Sequence, residues 1–191
     1  MDQILFTWIS IIVIFGLGTL AHFLYDLLKG PKALGIFTAV NESTWEHVKI
    51  AITPTLLWSL VDGYFYGIDA NYFTAKLASL LILTFVIPFI FYSYTRLTKK
   101  PILPIDILTF AGAIILAQFT FYVIINLPPF PYYATYLSAI GVFVFFGAYM
   151  TLTLLPLKQT IFKDPITGKY GFLAHRNFFK SRTKSHKHHQ K

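Results

Sequence analysis

The segment AVNESTWEHVK, residues 39–49, gathers ionisable side chains in a chain that is otherwise strongly apolar. Glu42 and Glu46 are four residues apart, and so are Ser43 and His47, whereas the whole chain of 191 residues has only eight acidic residues. Residues four apart lie on the same face of a helix. Carboxylates and an imidazole on shared faces are groups that bind metal ions or transfer protons.

A second pair of ionisable residues lies upstream, in GTLAHFLYDLLKGPK. His22 and Asp26 are again four residues apart, so they share one helical face. At 1.5 Å per residue, His22 lies roughly 9 Å before the end of this helix near Leu28. A Gly-Pro pair ends the helix, and the short connection that follows predicts that the two pairs are neighbours in space.

These side chains form a hard ligand set of oxygen and nitrogen atoms, which suits zinc, manganese or iron. The sequence predicts a divalent metal held by His22, Asp26, Glu42 and His47. A bound metal would activate water, with Glu46 as general base and Ser43 as a second catalytic candidate. Further residues of the motif are expected to line the site: Asn41, Trp45 and Lys49.

Local structural roles explain part of the same pattern. Residues 43–46, Ser-Thr-Trp-Glu, fit the capping box, in which the Ser43 hydroxyl accepts a hydrogen bond from the backbone N–H of Glu46 and the Glu46 carboxylate reaches back to the backbone N–H of Ser43. Glu42 would favour the helix macrodipole, and Trp45 would anchor a helix at a membrane interface. Three interpretations stay open: a bound metal, a cluster of ion pairs and hydrogen bonds, and unrelated local roles.

Composition assigns the chain to the integral membrane proteins. It is 55% hydrophobic and 13% charged, with a mean hydropathy of +0.60, which lies outside the range of soluble domains. Because about 20 apolar residues cross a bilayer as a helix, we expect an all-α, polytopic bundle of about five transmembrane helices. Their approximate bounds are 4–28, 48–65, 73–94, 105–125 and 132–155. Pro54 predicts a kink in the second.

Basic residues predict the orientation of the bundle, because Lys and Arg are retained on the cytoplasmic side of a membrane. Lys29 and Lys32 follow the first helix, and nine of the 16 basic residues lie after Leu155. We therefore expect a multi-pass protein of the cell membrane with its N-terminus outside and its C-terminus cytoplasmic. A transmembrane helical domain would cover residues 1–157, and a basic cytoplasmic tail would cover residues 158–191.

The net charge of +8 lies largely in this tail. Attraction to anionic headgroups accounts for it, so the lipid bilayer is the expected partner and nucleic acid is not; a homo-oligomer is left open. The chain has no cysteine, which excludes disulfides, thiolate metal ligands and a cysteine nucleophile.

NESTWEHVK is preceded by HFLYDLL and followed, after the fifth helix, by PLKQTIFKDPITGKYGF. This combination resembles a family of small, uncharacterised multi-spanning membrane proteins of bacteria and archaea that share an NES-x-WEH-x-K signature. The resemblance extends over most of the chain. It implies that the motif acts as one unit with His22 and Asp26 beside it, and it implies no particular reaction.

Two features outside the motif also carry predictions. FKDPITGKYG, residues 162–171, predicts a turn or small hairpin, which is either an ordinary exit turn or a cover that brings Asp164 or Tyr170 near the acids. Asp62 lies roughly 22 Å from the motif along a straight helix. Pairing with Lys76, or plain solvation, is the expected explanation for it.

The sequence supports three functions and leaves open whether the chain is an enzyme. The leading hypothesis is a metal-dependent membrane hydrolase of a lipid or other amphiphile. The second is a small proton- or cation-coupled transporter or channel subunit, since acids and histidines inside a membrane also mark ion paths. The third is a structural or assembly subunit of a membrane complex, in which the polar cluster fixes helix packing.

Overall fold

The computed structural model describes residues 2–28 and 33–174, over which the chain is all-α with five long α-helices. Their bounds are α1 Gln3–Leu28, α2 Thr44–Tyr66, α3 Tyr72–Thr98, α4 Leu103–Ile125 and α5 Tyr132–Leu154. Short 3-10 helices, Leu34–Ile36 and Thr160–Phe162, follow α1 and α5. Lys29, Lys32 and residues 175–191, the second half of the predicted basic tail, lie outside the described residues.

Four of these helices, α1, α3, α4 and α5, are long and apolar enough to cross a membrane. They indicate a multi-pass membrane protein. α2 is less apolar because Glu46, Lys49 and Asp62 lie within it. The described residues therefore form long helices at all five segments that the sequence indicated, and four of the five qualify as candidate spans.

The interior of the bundle is formed chiefly by α1 to α4. Ile14, Val48, Leu83 and Ile114, one from each of these helices, are fully buried in one apolar cluster. α3 packs against α4, α2 and α5, and α1 packs against α2 and α4. The first half of α2 is buried on nearly every side, so its polar side chains must find partners within the protein.

Pro54 lies inside α2 without ending the helix. Proline has no N–H, so the carbonyl four residues earlier, that of Ile50, lacks its helical donor. Gly18 of α1 lies against this carbonyl: a Cβ at position 18 would stand 2.7 Å from the Ile50 oxygen and 2.7 Å from Cζ of Phe110. This close approach brings His22, one turn further along α1, next to the start of α2.

An ion pair lies near the other end of α2. Asp62 pairs with Lys76 of α3, and both side chains are buried. The ammonium nitrogen of Lys76 also lies 4.4 Å from the ring centre of Phe121. The predicted pairing of Asp62 with Lys76 is thus confirmed, and the alternative, a solvated Asp62, is wrong because the surrounding helices cover it.

The chain after α5 folds back over the start of α2, and residues 156–174 are here named the return segment. Phe162 is buried, and its ring centre lies 5.1 Å from that of Trp45. Asp164, also buried, accepts a hydrogen bond of 3.1 Å from the backbone N–H of Glu42. The predicted turn is closed by an antiparallel bridge, and the cover interpretation is confirmed through Asp164.

Candidate metal site

Three side chains converge from α1, the following connection and α2: His22, Glu42 and His47. Glu42 Oε1 lies 4.0 Å from His22 Nε2, and Glu42 Oε2 lies 3.9 Å from His47 Nε2. One ligand atom of each residue lies within 4.8 Å of the others. These separations are too long for hydrogen bonds. In tetrahedral coordination with bonds of about 2.1 Å, two ligand atoms stand about 3.4 Å apart, so the three side chains would have to move closer by up to about 1.4 Å to bind one ion.

The ring of His47 is oriented by the backbone. Its Nδ1 lies 3.0 Å from the carbonyl oxygen of Ser43. A carbonyl oxygen can only accept a hydrogen bond, so Nδ1 carries a proton, and in the neutral ring Nε2 keeps its lone pair. Histidines that bind metals commonly donate their other ring N–H to a carbonyl or carboxylate in this way. The atom that faces Glu42 is therefore the one available to a metal.

His22 completes the group from α1. Its Nε2 faces Glu42, whereas its buried Nδ1 has no hydrogen-bond partner among the described residues. The ring centres of His22 and His47 lie 5.3 Å apart. Two imidazolium ions at this separation repel each other. Neutral rings avoid this repulsion and leave both Nε2 atoms able to bind a cation.

The group stands between two cavities and is accessible from them. A polar pocket of about 30 Å³ lies on one side and a larger, mostly apolar cavity of about 380 Å³ lies on the other, and His22 and Glu42 line both. The side chains of His22, Glu42 and His47 are 23%, 44% and 36% exposed. A solute in the large cavity can therefore reach all three side chains, and one in the polar pocket can reach His22 and Glu42.

Asp26 lines the polar pocket together with His22 and Asp164. Its carboxylate is not a member of the group formed by His22, Glu42 and His47. Of the four ligands predicted from the sequence, the structure thus brings three together and places the fourth beside them.

A buried ion pair holds the connection that carries Glu42. Lys49 is fully buried, pairs with Glu46 at 2.5 Å and donates a hydrogen bond of 2.8 Å to the carbonyl oxygen of Gly35. Glu46 also accepts from the backbone N–H of Val40 at 2.9 Å. Neither partner of Glu46 belongs to the metal group, so the structure uses its carboxylate to join α2 to the preceding loop.

Ser43 is the N-cap residue of α2, but its hydroxyl makes no capping hydrogen bond. The backbone N–H of Glu46 donates to the carbonyl oxygen of Ser43 at 3.0 Å, while the Glu46 carboxylate is engaged by Lys49. The capping box predicted from the sequence is therefore wrong, because the buried ammonium takes the carboxylate. Ser43 is 1% exposed and lines neither cavity.

The remaining motif residues join the motif to the return segment and the core. Asn41 donates to the carbonyl oxygen of Gly171 at 3.2 Å and accepts from the Ser43 N–H at 2.8 Å. Trp45 is 6% exposed and packs on Phe162. Its predicted role as an interfacial anchor is wrong, because the indole is covered by protein and does not face a membrane surface.

Asp106 lines the large cavity, and sequence reasoning did not identify it. The only signal was an acid in the first turn of α4, which many helices carry because it favours the macrodipole. Asp164 had a weak signal in its Asp-Pro turn.

A family model described as a family of unknown function (DUF6512) matches residues 2–172. The match covers all five helices and both parts of the metal group. Neither the curated proteins nor the solved structures compared with the chain give a match. The chain belongs to DUF6512, a family of unknown function.

Proposed function

We propose that the protein is a metal-dependent membrane hydrolase that cleaves an amphiphile at the group of His22, Glu42 and His47. The orientation of His47 carries this proposal, because its Nδ1 is held by the Ser43 carbonyl and its Nε2 faces Glu42. Two histidines and a glutamate hold catalytic zinc in several hydrolases and leave one position open. A divalent ion bound here would polarise a substrate carbonyl and make water more acidic.

The residues of the chain would supply ligands and proton transfer. His22 and His47 each offer Nε2, and the two oxygens of Glu42 face different imidazoles, so one oxygen can bind while the other accepts a proton. The adjoining pocket of about 30 Å³ has room for a water molecule. In hydrolysis, the oxygen of this water bonds to the scissile carbonyl carbon and its proton passes to Glu42. The leaving oxygen or nitrogen takes that proton as its bond to carbon breaks.

Glu46 and Ser43 have structural roles in this proposal. The carboxylate of Glu46 is 3% exposed and paired with Lys49, which leaves it poorly placed to exchange protons with cavity water. Ser43 contributes its carbonyl to the orientation of His47 and not its hydroxyl to the reaction. The predicted general base is thus replaced by Glu42.

The proposal includes five membrane crossings, which are the four candidate spans and α2. α2 has 23 residues, about 34 Å of helix, against a hydrocarbon thickness of about 30 Å. Its charged side chains are buried and paired, Glu46 with Lys49 and Asp62 with Lys76, which makes them tolerable in a membrane. With the N-terminus outside, the metal group would lie at the cytoplasmic leaflet.

The chain has no cysteine, so single cysteines can map this topology. A cysteine at Thr98, after α3, should be protected from an impermeant maleimide in intact cells, and one at Leu127, after α4, should react. The opposite pattern would reverse the orientation, and reaction at both positions would contradict a single crossing by α4.

Hydrolysis itself is tested with the full chain in detergent, loaded with zinc, manganese or iron and supplied with fluorogenic single-chain esters and amides. Glu42→Gln should lower the rate by about 100-fold or more, and the matched substitution Asp69→Asn, in the exposed loop between α2 and α3, should leave it unchanged. Hydrolysis that survives both chelation and Glu42→Gln would refute the proposal.

A second candidate function, proton or cation transport, is supported by one observation. The buried pair of Asp62 and Lys76 lies far along α2 from the metal group, as an ion path between the two ends would require. Proteoliposomes should then show flux driven by a pH gradient that Asp62→Asn abolishes. Absence of flux in tight proteoliposomes would remove this candidate.

A further inference from the structure

The lining of the large cavity combines apolar and polar side chains. α3 and α4 supply the apolar residues Ile87, Phe91, Leu103 and Phe110. The polar residues are those of the metal group together with Thr44, Asp106 and Thr109. Mostly apolar pockets with a few convergent polar groups are typical small-molecule sites, and this combination suits a ligand with one apolar and one polar end.

The polar part of this lining is acidic. Glu42 and Asp106 contribute carboxylates, and the lining has no Lys or Arg among the residues that the structure describes. Asp106 accepts a hydrogen bond from the Tyr94 hydroxyl on Oδ1, and in the described part of the chain its Oδ2 receives none. With or without a divalent ion, these two carboxylates leave the lining with no net positive charge to compensate an anionic headgroup.

The size of the cavity limits the apolar part of the ligand. Its volume of about 380 Å³ lies near the lower end of the range of ligand pockets, about 300–1,000 Å³, which favours one hydrocarbon chain over the two chains of a phospholipid. Leu103 lines the cavity and is also 70% exposed. An apolar residue therefore stands at the rim, where a chain can enter from surrounding lipid.

We propose that this cavity binds a single-chain amphiphile whose head is neutral or carries an ammonium group. The hydrocarbon chain lies along the apolar residues of α3 and α4, and the free oxygen of Asp106 accepts a hydrogen bond from a hydroxyl or ammonium head and repels an anionic one. Asp106 is thereby the specificity-determining residue. Cleavage of this ligand rests on the proposed hydrolase function, whereas its binding does not require the metal.

Photo-crosslinking of the full chain in phosphatidylcholine vesicles tests this binding. Three probes of equal chain length carry a diazirine on the chain and differ in the head: alkylammonium, alkanol and alkyl sulfonate. Labelling of peptides around Phe91 and Phe110 is divided by labelling of the exposed α5 face at Leu137 and Ile140. This ratio removes differences in how much of each probe enters the bilayer.

The ratio should be about five-fold higher for the ammonium probe than for the sulfonate, and Asp106→Asn should reduce that preference. Thr109→Phe, which fills the cavity, should abolish cavity labelling by all three probes. Leu108→Phe, at a 71% exposed neighbour outside the lining, should have no effect. Equal labelling by the three heads, or stronger labelling by the sulfonate, would overturn the head-group assignment. Labelling that survives Thr109→Phe would overturn the location.

The same measurement is repeated on His47→Ala and after chelation. Labelling should persist in both, because the chain and the head are held by α3 and α4. Selective labelling of the unaltered protein, if that protein takes up no metal on reconstitution, would refute the hydrolase and leave the amphiphile site. Metal binding without selective labelling would refute the amphiphile site and leave the metal centre.

Discussion

His47 Nδ1 lies 3.0 Å from the carbonyl oxygen of Ser43, one turn before it at the start of α2. The same carbonyl accepts the backbone N–H groups of Glu46 and His47. The position at which α2 begins therefore also decides the tautomer of His47, and with it the direction of Nε2. The metal group depends on a helix start as much as on its three ligands.

The approach of α1 to α2 at Gly18 gives the first prediction. In Gly18→Ala the new Cβ would meet the Ile50 carbonyl and Phe110 at 2.7 Å. α1 must therefore separate from α2, and His22 must move away from its partners in the metal group. We expect a destabilisation of about 1–3 kcal/mol and metal affinity weakened by about ten-fold. Thermal unfolding and metal titration in one detergent measure both.

Gly16→Ala is the matched control, because nothing lies within 4 Å of a Cβ at position 16. It should be neutral or stabilising by up to about 1 kcal/mol, the usual gain of alanine over glycine in a helix. If Gly18→Ala melted and bound metal as Gly16→Ala does, the account of the helix contact would be wrong.

Glu46 gives the second prediction. Glu46→Ala leaves the fully buried ammonium of Lys49 without its partner, and breaking a buried pair costs about 3–5 kcal/mol. Glu42→Ala should cost far less, because Glu42 is 44% exposed. Unfolding by denaturant measures the stability of both variants. The double substitution Glu46→Leu and Lys49→Met should recover much of the stability that Glu46→Ala loses. A Glu46→Ala protein of normal stability without hydrolysis would restore Glu46 as general base.

Asp164 gives the third prediction. It accepts hydrogen bonds from the Glu42 N–H at 3.1 Å and the Thr167 N–H at 2.8 Å, so Asp164→Ala should loosen the return segment over the site. We expect faster proteolysis within residues 156–174 and metal affinity weakened by about ten-fold, as for other outer-shell partners. Lys169→Ala, at an exposed position, is the control. Identical proteolysis of the two variants would mean that Asp164 does not fasten the segment.

The helices could be predicted from the sequence because hydropathy is a local property. α2 was the hardest, since Glu46, Lys49 and Asp62 lower its hydropathy, and only the structure shows that all three are paired. The approach of His22 to Glu42 and His47 was also predictable, because a short connection makes consecutive helices neighbours.

The partners of individual side chains were not predictable. Two specific roles were predicted for Glu46, as general base and as a member of a capping box. The structure pairs its carboxylate with the buried ammonium of Lys49. Trp45 was predicted to be interfacial because it lies near a helix end. The ring that covers it, Phe162, comes from the far end of the chain. Such choices depend on packing between distant segments, which spacing along the chain does not encode.

Metal content tests the central claim most directly. The full chain is purified in mild detergent without an affinity tag, after the histidines beyond α5 are replaced by glutamine: His175, His186, His188 and His189. Elemental analysis should find about one equivalent of zinc, manganese or iron, absent from His47→Ala and retained in Asp69→Asn. A folded protein that takes up no metal on reconstitution, or a His47→Ala variant that keeps it, would contradict the metal centre.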